Sequence, residues 1–189
     1  MLRVSFLRIS FLRVPFLRVV MLGVVFSMVA LLVVFMAPPV AAQEAPEATD
    51  VTSADIQKFI NALPRDRVSD RAIRVVEVTG DYRVGVYGVF RPQEFPGGAN
   101  LHPVNTTEIY YMVEGVATLV TGGTLIDSAP APTGSSIRGS GIEGGVSRRV
   151  TKGDVIIIPG HTPHWFSELE TDIEYLIIRT DPDKRLPLR

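Results

Sequence analysis

Three histidines occur in this chain of 189 residues, and their placement is its most specific feature. His102 stands six residues before Glu108. His161 and His164 share the stretch Pro159-Gly160-His161-Thr162-Pro163-His164. Imidazole nitrogens and carboxylate oxygens are donors that divalent metals accept. Two histidines and one carboxylate, each in or beside a strand-like run, are the parts of such a site. That set leaves coordination positions open, as in the two-histidine, one-carboxylate sites that admit substrate and dioxygen on Fe(II).

The elements that must carry these residues are mostly strands. Thr52 or Ser53 caps a short helix with Ile56, Phe59, Ile60 and Leu63 on one face, and Pro64 ends it. Strand-like runs follow at 73–78, 82–90, 108–113, 116–120, 155–158, 164–166 and 173–179, with Gly and Pro turns between them. Short strands at this spacing indicate an all-β sandwich or barrel. The sequence has no βαβ pattern, dinucleotide fingerprint or phosphate loop. Residues 122–147 are rich in Gly, Ser and Pro and are expected to form a long loop, either over the mouth of the barrel or inert.

Composition bounds the setting. Residues 1–18 carry Arg3, Arg8, Arg13 and Arg18 in a five-residue repeat, and an uncharged run follows from Val19 to Ala37. Val40-Ala41-Ala42 is a small-residue exit, so residues 1–42 read as a signal peptide and the protein as secreted or periplasmic. The apolar run is close to the roughly 20 residues that span a bilayer, so the alternative is membrane anchoring by residues 19–37. Residues 43–51 form an acidic, Pro-containing lead expected to be disordered, and residues 52–189 form the domain. All 20 acids and all but four of the 19 basic residues lie beyond residue 42, so residues 43–189 carry a net −5. That balance argues against nucleic acid as a partner. The chain has no cysteine, so packing must hold it without disulfides.

The segment from His102 through Glu108 to Gly115 resembles the first motif of the cupins: a His-x-His pair, three or four intervening residues, a Glu, six more residues and a Gly. Gly153 through Pro159 to His164 resembles their second motif. The resemblance spans roughly residues 84–180 and implies a double-sheet jelly-roll barrel, preceded here by the short helix. Three positions depart from the pattern. Val104 replaces a ligand histidine, His161 a turn glycine and Glu168 an asparagine. Carried over position by position, the resemblance makes His102, Glu108 and His164 the metal ligands. The ion would be Fe, Mn, Zn, Ni or Cu, and with Val104 in place the site could also be metal-free.

Strand alternation agrees on direction. If the chain is extended from 102 to 110, then His102, Glu108 and Tyr110 share one face, with Val104 filling the gap. His164 and Phe166 would share another, with Trp165 turned away as packing or a homodimer contact. Tyr110 is a candidate for orienting a substrate or donating a proton. Arg148 and Arg149 are candidates for holding an anionic substrate, against a solvated pair as the bland reading. His161, in a turn, is a weaker candidate ligand than His164. The functional expectation is a metal-binding RmlC-like cupin acting on a small oxygen-rich molecule as an oxygenase, isomerase or lyase. A non-catalytic small-molecule-binding or structural module is the alternative.

Overall fold

The computed structural model describes residues 47–132, Gly134 and residues 136–189. The signal-peptide and anchor readings of residues 1–42, and residues 43–46 of the lead, lie outside the described residues. Among the described residues, no helix is long and apolar enough to cross a membrane.

Helix α1 (Ser53–Asn61) is capped by Thr52, whose hydroxyl oxygen accepts from the Asp55 amide. This satisfies one of the unpaired donors of its first turn. Its Ile60 is fully buried, and the Phe59 and Ile60 side chains lie against Gly88, where no Cβ intervenes. The rest is strand: β1 (Ser69–Val78), β2 (Tyr82–Arg91), β3 (Ala99–Leu101), β4 (Thr107–Glu114), β5 (Val116–Thr121), β6 (Thr124–Ile126), β7 (Ala129–Pro130), β8 (Ile137–Gly139), β9 (Gly141–Glu143), β10 (Val146–Thr151), β11 (Val155–Ile158), β12 (His164–Leu169) and β13 (Ile173–Asp181).

They form one sheet in the order β1-β2-β13-β4-β11, a second in the order β10-β5-β12-β3-β8-β7, and a two-stranded ribbon of β6 and β9. All pairings are antiparallel. The core is built by period-two alternation. On β4, Glu108, Tyr110 and Met112 are buried. On β13, Ile173, Tyr175 and Ile177 are buried. Facing them from the second sheet are Ala117, Leu119 and Phe166.

Two expectations are corrected here. Residues 122–147 are not a structureless loop, because β6 to β9 occupy much of the segment. Leu125 pairs with Ile142 across the ribbon, and β8 extends the second sheet by pairing with β3. Scattered apolar residues between Gly turns suffice for strands of three residues. Residues 102–110 are also not one extended strand. The chain leaves β3 at Leu101 and turns so that the Val104 amide donates to the His102 carbonyl (2.8 Å). It re-enters the opposite sheet at Thr107. His102 and Glu108 therefore face each other from different sheets and do not share a strand face.

Candidate metal centre

His102, Glu108 and His164 converge. Each offers one ligand atom, and these atoms all lie within 4.8 Å of one another. His102 Nε2 is 3.8 Å from Glu108 Oε1, and His164 Nε2 is 3.6 Å from Glu108 Oε2. The two imidazole rings are 5.3 Å apart, centre to centre. Three elements supply them. His102 follows β3, Glu108 is an inward position of β4, and His164 opens β12.

The backbone ties the two motifs together. The His161 amide donates to the His102 carbonyl (3.2 Å). Gly160 packs so closely on the 104–105 backbone that a Cβ there would collide with the Val104 carbonyl oxygen. His161 takes the left-handed conformation, with φ of 61°, as the glycine it replaces in the motif would do readily. Its Nε2 lies 3.3 Å from Asn105 Oδ1, directed away from the three ligand candidates.

The far nitrogen of each ring is engaged. His164 Nδ1 lies 3.0 Å from the Thr162 carbonyl, which can only accept, so Nδ1 carries the proton and Nε2 the lone pair. His102 Nδ1 lies 2.8 Å from the Ser136 hydroxyl. The Thr162 carbonyl thereby fixes both tautomer and aim of His164, and the Ser136 hydroxyl, able to donate or accept, fixes the aim of His102. Burial, only partly offset by the Glu108 charge, lowers both imidazole pKa values and keeps the rings neutral at pH 7.

Glu108 is the electrostatic centre. Burial works to protonate it, but the Arg179 guanidinium, then His164 and His102, hold its carboxyl at about 2. Arg179 Nε donates to Oε1 at 2.7 Å, and the Tyr110 hydroxyl donates to Oε2 at 3.0 Å. Arg179 also reaches Asp70 at 2.7 Å and lies 4.1 Å over the Tyr87 ring. Burial, with the Glu108 charge next in size, pushes the Tyr110 hydroxyl well above its ordinary value, so it serves as a donor and stays protonated.

The donor set fits a divalent metal. The His164 Nε2 lone pair, the neutral His102 ring and an ionised carboxylate lie together. Donor separations of 3.6 and 3.8 Å are within a few tenths of an ångström of the ~3–3.5 Å edges expected for bonds of about 2.0–2.2 Å. Each Glu108 oxygen accepts one hydrogen bond and keeps a second lone pair. His102 is the most open of the three, with its side chain 31% exposed against 4% for Glu108.

His102 and His164 line a cavity of about 320 Å³, and Glu108 lies behind its wall, bonded to the lining residues Arg179 and Tyr110. Its lining includes Asp70, Arg91, Asn100, His102, Tyr110, Arg138, His164 and Arg179. Val104 is not part of that wall, because the turn carries it away. Arg148 and Arg149 also lie elsewhere: Arg149 pairs with Glu170 at 2.6 Å and Arg148 donates to Thr121. Trp165 is turned from the site, donating to the Gly97 carbonyl and packing on Gly141 of β9.

Sequence reasoning missed Arg179, Arg91, Ser136 and Arg138. Arg179 had a signal, since it shares the inward alternation of Ile173, Tyr175 and Ile177. Ser136 and Arg138 had none, because they sit in the segment expected to be a loop.

No family model and no curated protein matches this chain. Among solved structures it is similar to DMSP lyase DddQ from Ruegeria pomeroyi DSS-3, with 18% identity, 88% of this chain and 91% of that one covered, and a TM-score of 0.44. It is also similar to an RmlC-like cupin family protein from Methanocaldococcus jannaschii (12% identity, 64% and 87% covered, TM-score 0.40). A third likeness is to oxalate decarboxylase from Bacillus subtilis (18% identity, 61% of this chain covered, TM-score 0.41), of which this chain spans 25%. The fold rests on the chain's own features. Both motifs lie on a double-sheet jelly roll, and their His, Glu and His positions meet at one point. The chain is therefore an antiparallel double-sheet jelly roll, with the His, Glu and His positions of its two cupin-like motifs gathered together beside the cavity.

Proposed function

We propose that this chain is an exported cupin that holds one divalent metal through His102, Glu108 and His164 and acts on a small oxygen-rich molecule. The carrying observation is the convergence of His102, Glu108 and His164 within 4.8 Å of one another, beside a cavity that both histidines line. When bound, the metal would supply Lewis-acid or redox chemistry at a substrate oxygen. The chain's own groups do the rest. Thr162 and Ser136 hold the imidazoles in place. Tyr110 and Arg179 fix the Glu108 carboxylate from either side. Tyr110, its proton committed to Glu108, is a positioning residue in this arrangement. An oxygenase, isomerase or lyase reaction is compatible with such a site. Export rests on the basic, apolar and small-residue pattern of residues 1–42.

A second reading has its own support. Arg179 neutralises Glu108 at 2.7 Å, so the buried carboxylate is satisfied with no metal. A barrel that binds a small molecule without catalysis would need nothing more.

Elemental analysis of the purified full chain separates the two. Near one equivalent of a single metal, lost in His164→Ala, is the expected result. Glu108→Ala is less clean, because it strands the Arg179 charge. A wild-type protein that takes up none of Fe, Mn, Zn, Ni or Cu overturns the metal reading.

A further inference from the structure

The cavity beside the three ligand candidates holds more positive charge than its own acids neutralise. Three guanidinium groups (Arg91, Arg138 and Arg179) line it with one carboxylate, Asp70, and Glu108 stands behind Arg179. Both carboxylates are spent on Arg179. Arg91 is left with neutral partners, the Pro96 carbonyl and the Tyr175 hydroxyl at 3.3 Å. Its Nε is buried with no hydrogen-bond partner. Arg138 forms no salt bridge and no side-chain hydrogen bond among the described residues, yet lines the same cavity. The buried Arg91 guanidinium without a counter-charge is costly to keep, and a site that keeps one beside the exposed, unpaired Arg138 is prepared for an anion. The excess also opposes the chain's overall negative charge, so it is local to this cavity.

Position supports the same conclusion. Arg138 on β8 is paired directly with Asn100 on β3, and Asn100 directly with His164 on β12. Directly opposed residues point to the same face, and each step across the sheet is about 5 Å. Arg138 therefore stands about 10 Å from His164, backbone to backbone. Arg91 enters the cavity from the first sheet, where its guanidinium lies 5.2 Å over the Phe166 ring. Tyr110 and Tyr175 line the cavity between Arg91 and His164, with the Tyr110 ring edge-on to His164 and Phe166 packed against both tyrosines. At about 320 Å³ the space is at the small end of ligand cavities, which run from roughly 300 to 1,000 Å³.

We infer that Arg91 and Arg138 form a carboxylate subsite, so that the molecule taken by this cavity is a small carboxylate whose other oxygen function reaches toward His102, Glu108 and His164. The inference rests on the reading of this cavity as the functional site and names its ligand class. The subsite itself needs no metal.

The test titrates the chelator-treated full chain with lactate and with lactamide, its neutral counterpart of similar shape, at fixed ionic strength. Lactate binds at least tenfold more tightly. Arg138→Gln, an exposed position on a short strand, removes most of that preference, and so does Arg91→Gln if it folds. Arg148→Gln, outside the cavity, leaves it intact. Equal affinity for the two probes, no lactate binding, or a preference that survives Arg138→Gln overturns the subsite. Metal content measured on the same untreated samples keeps the two ideas apart. Metal present without a lactate preference removes the subsite alone, and a lactate preference without metal removes the metal reading alone.

Discussion

Replacing Arg179 with Gln removes the charge that holds Glu108 ionised. The Glu108 carboxyl sits at about 2 against an ordinary 4.5. At roughly 1.36 kcal/mol per tenfold change in proton affinity, that difference is about 3 kcal/mol of favourable interaction with the ionised form. It remains after burial has already worked against the charge, and Arg179 is the largest of the groups that supply it, ahead of His164 and His102. Glu108 is 4% exposed, and solvent screens little of it. Breaking a buried pair by removing one partner typically costs about 3–5 kcal/mol. The Asp70 end of the cluster is 35% exposed and adds only about 0–1 kcal/mol. The expected loss for Arg179→Gln is therefore about 3–5 kcal/mol, a large share of the roughly 5–15 kcal/mol that stabilises a typical domain. Urea unfolding of the full chain at pH 7 with chelator measures it. The same titration with saturating Mn²⁺ adds a second reading. A metal on His102, Glu108 and His164 neutralises the same carboxylate, so part of the loss returns. A loss under about 1 kcal/mol with chelator would refute the claim that Arg179 keeps Glu108 ionised.

Three further expectations follow from particular contacts. In the metal-free protein, Glu108 has a depressed folded pKa, so its stabilisation is complete above the ordinary 4.5 and is lost as pH falls through about 2. The lowered pKa values of His102 and His164 act in the same direction, and their contribution declines as pH drops below the ordinary 6.5. Urea midpoints measured with chelator should fall steadily from about pH 6.5 downward, and a flat profile to pH 3 counts against this assignment. Gly160→Ala places a methyl against the Val104 carbonyl and the Asn105 backbone, displacing the turn that carries His102. Metal affinity should drop about tenfold or more with only modest loss of secondary structure by circular dichroism, and unchanged affinity would show that the motifs are not coupled through this contact. His161→Gly relieves a left-handed non-glycine residue and gives up the 3.3 Å contact with Asn105. Thermal unfolding should show a gain of up to about 1 kcal/mol, and a loss would mean that the Asn105 contact outweighs the strain.

Much of the barrel was legible because its signals are local. Alternation marked Glu108, Tyr110 and Met112 as one buried row of β4. Pro64 and Thr52 bounded the helix region within a few residues of its observed ends. The sequence separation between His102 and Glu108 was meaningful, although the geometry inferred from it was not. A turn at 102–106 brings the pair together from facing sheets, where a continuous strand would have placed them along one face.

By itself the sequence determined which residues could donate to a metal and which runs could be strands. Residue chemistry and period-two alternation need no knowledge of distant partners. Only the tertiary structure decided what surrounds those donors. Arg179 meets Glu108 across 71 positions, and Ser136 meets His102 across 34. Such contacts depend on which strands become neighbours and in what register, and a shift of one residue would turn Arg179 out of the cavity. The charge balance of the site, and with it the kind of molecule it can accept, is therefore a property of sheet pairing and not of any motif.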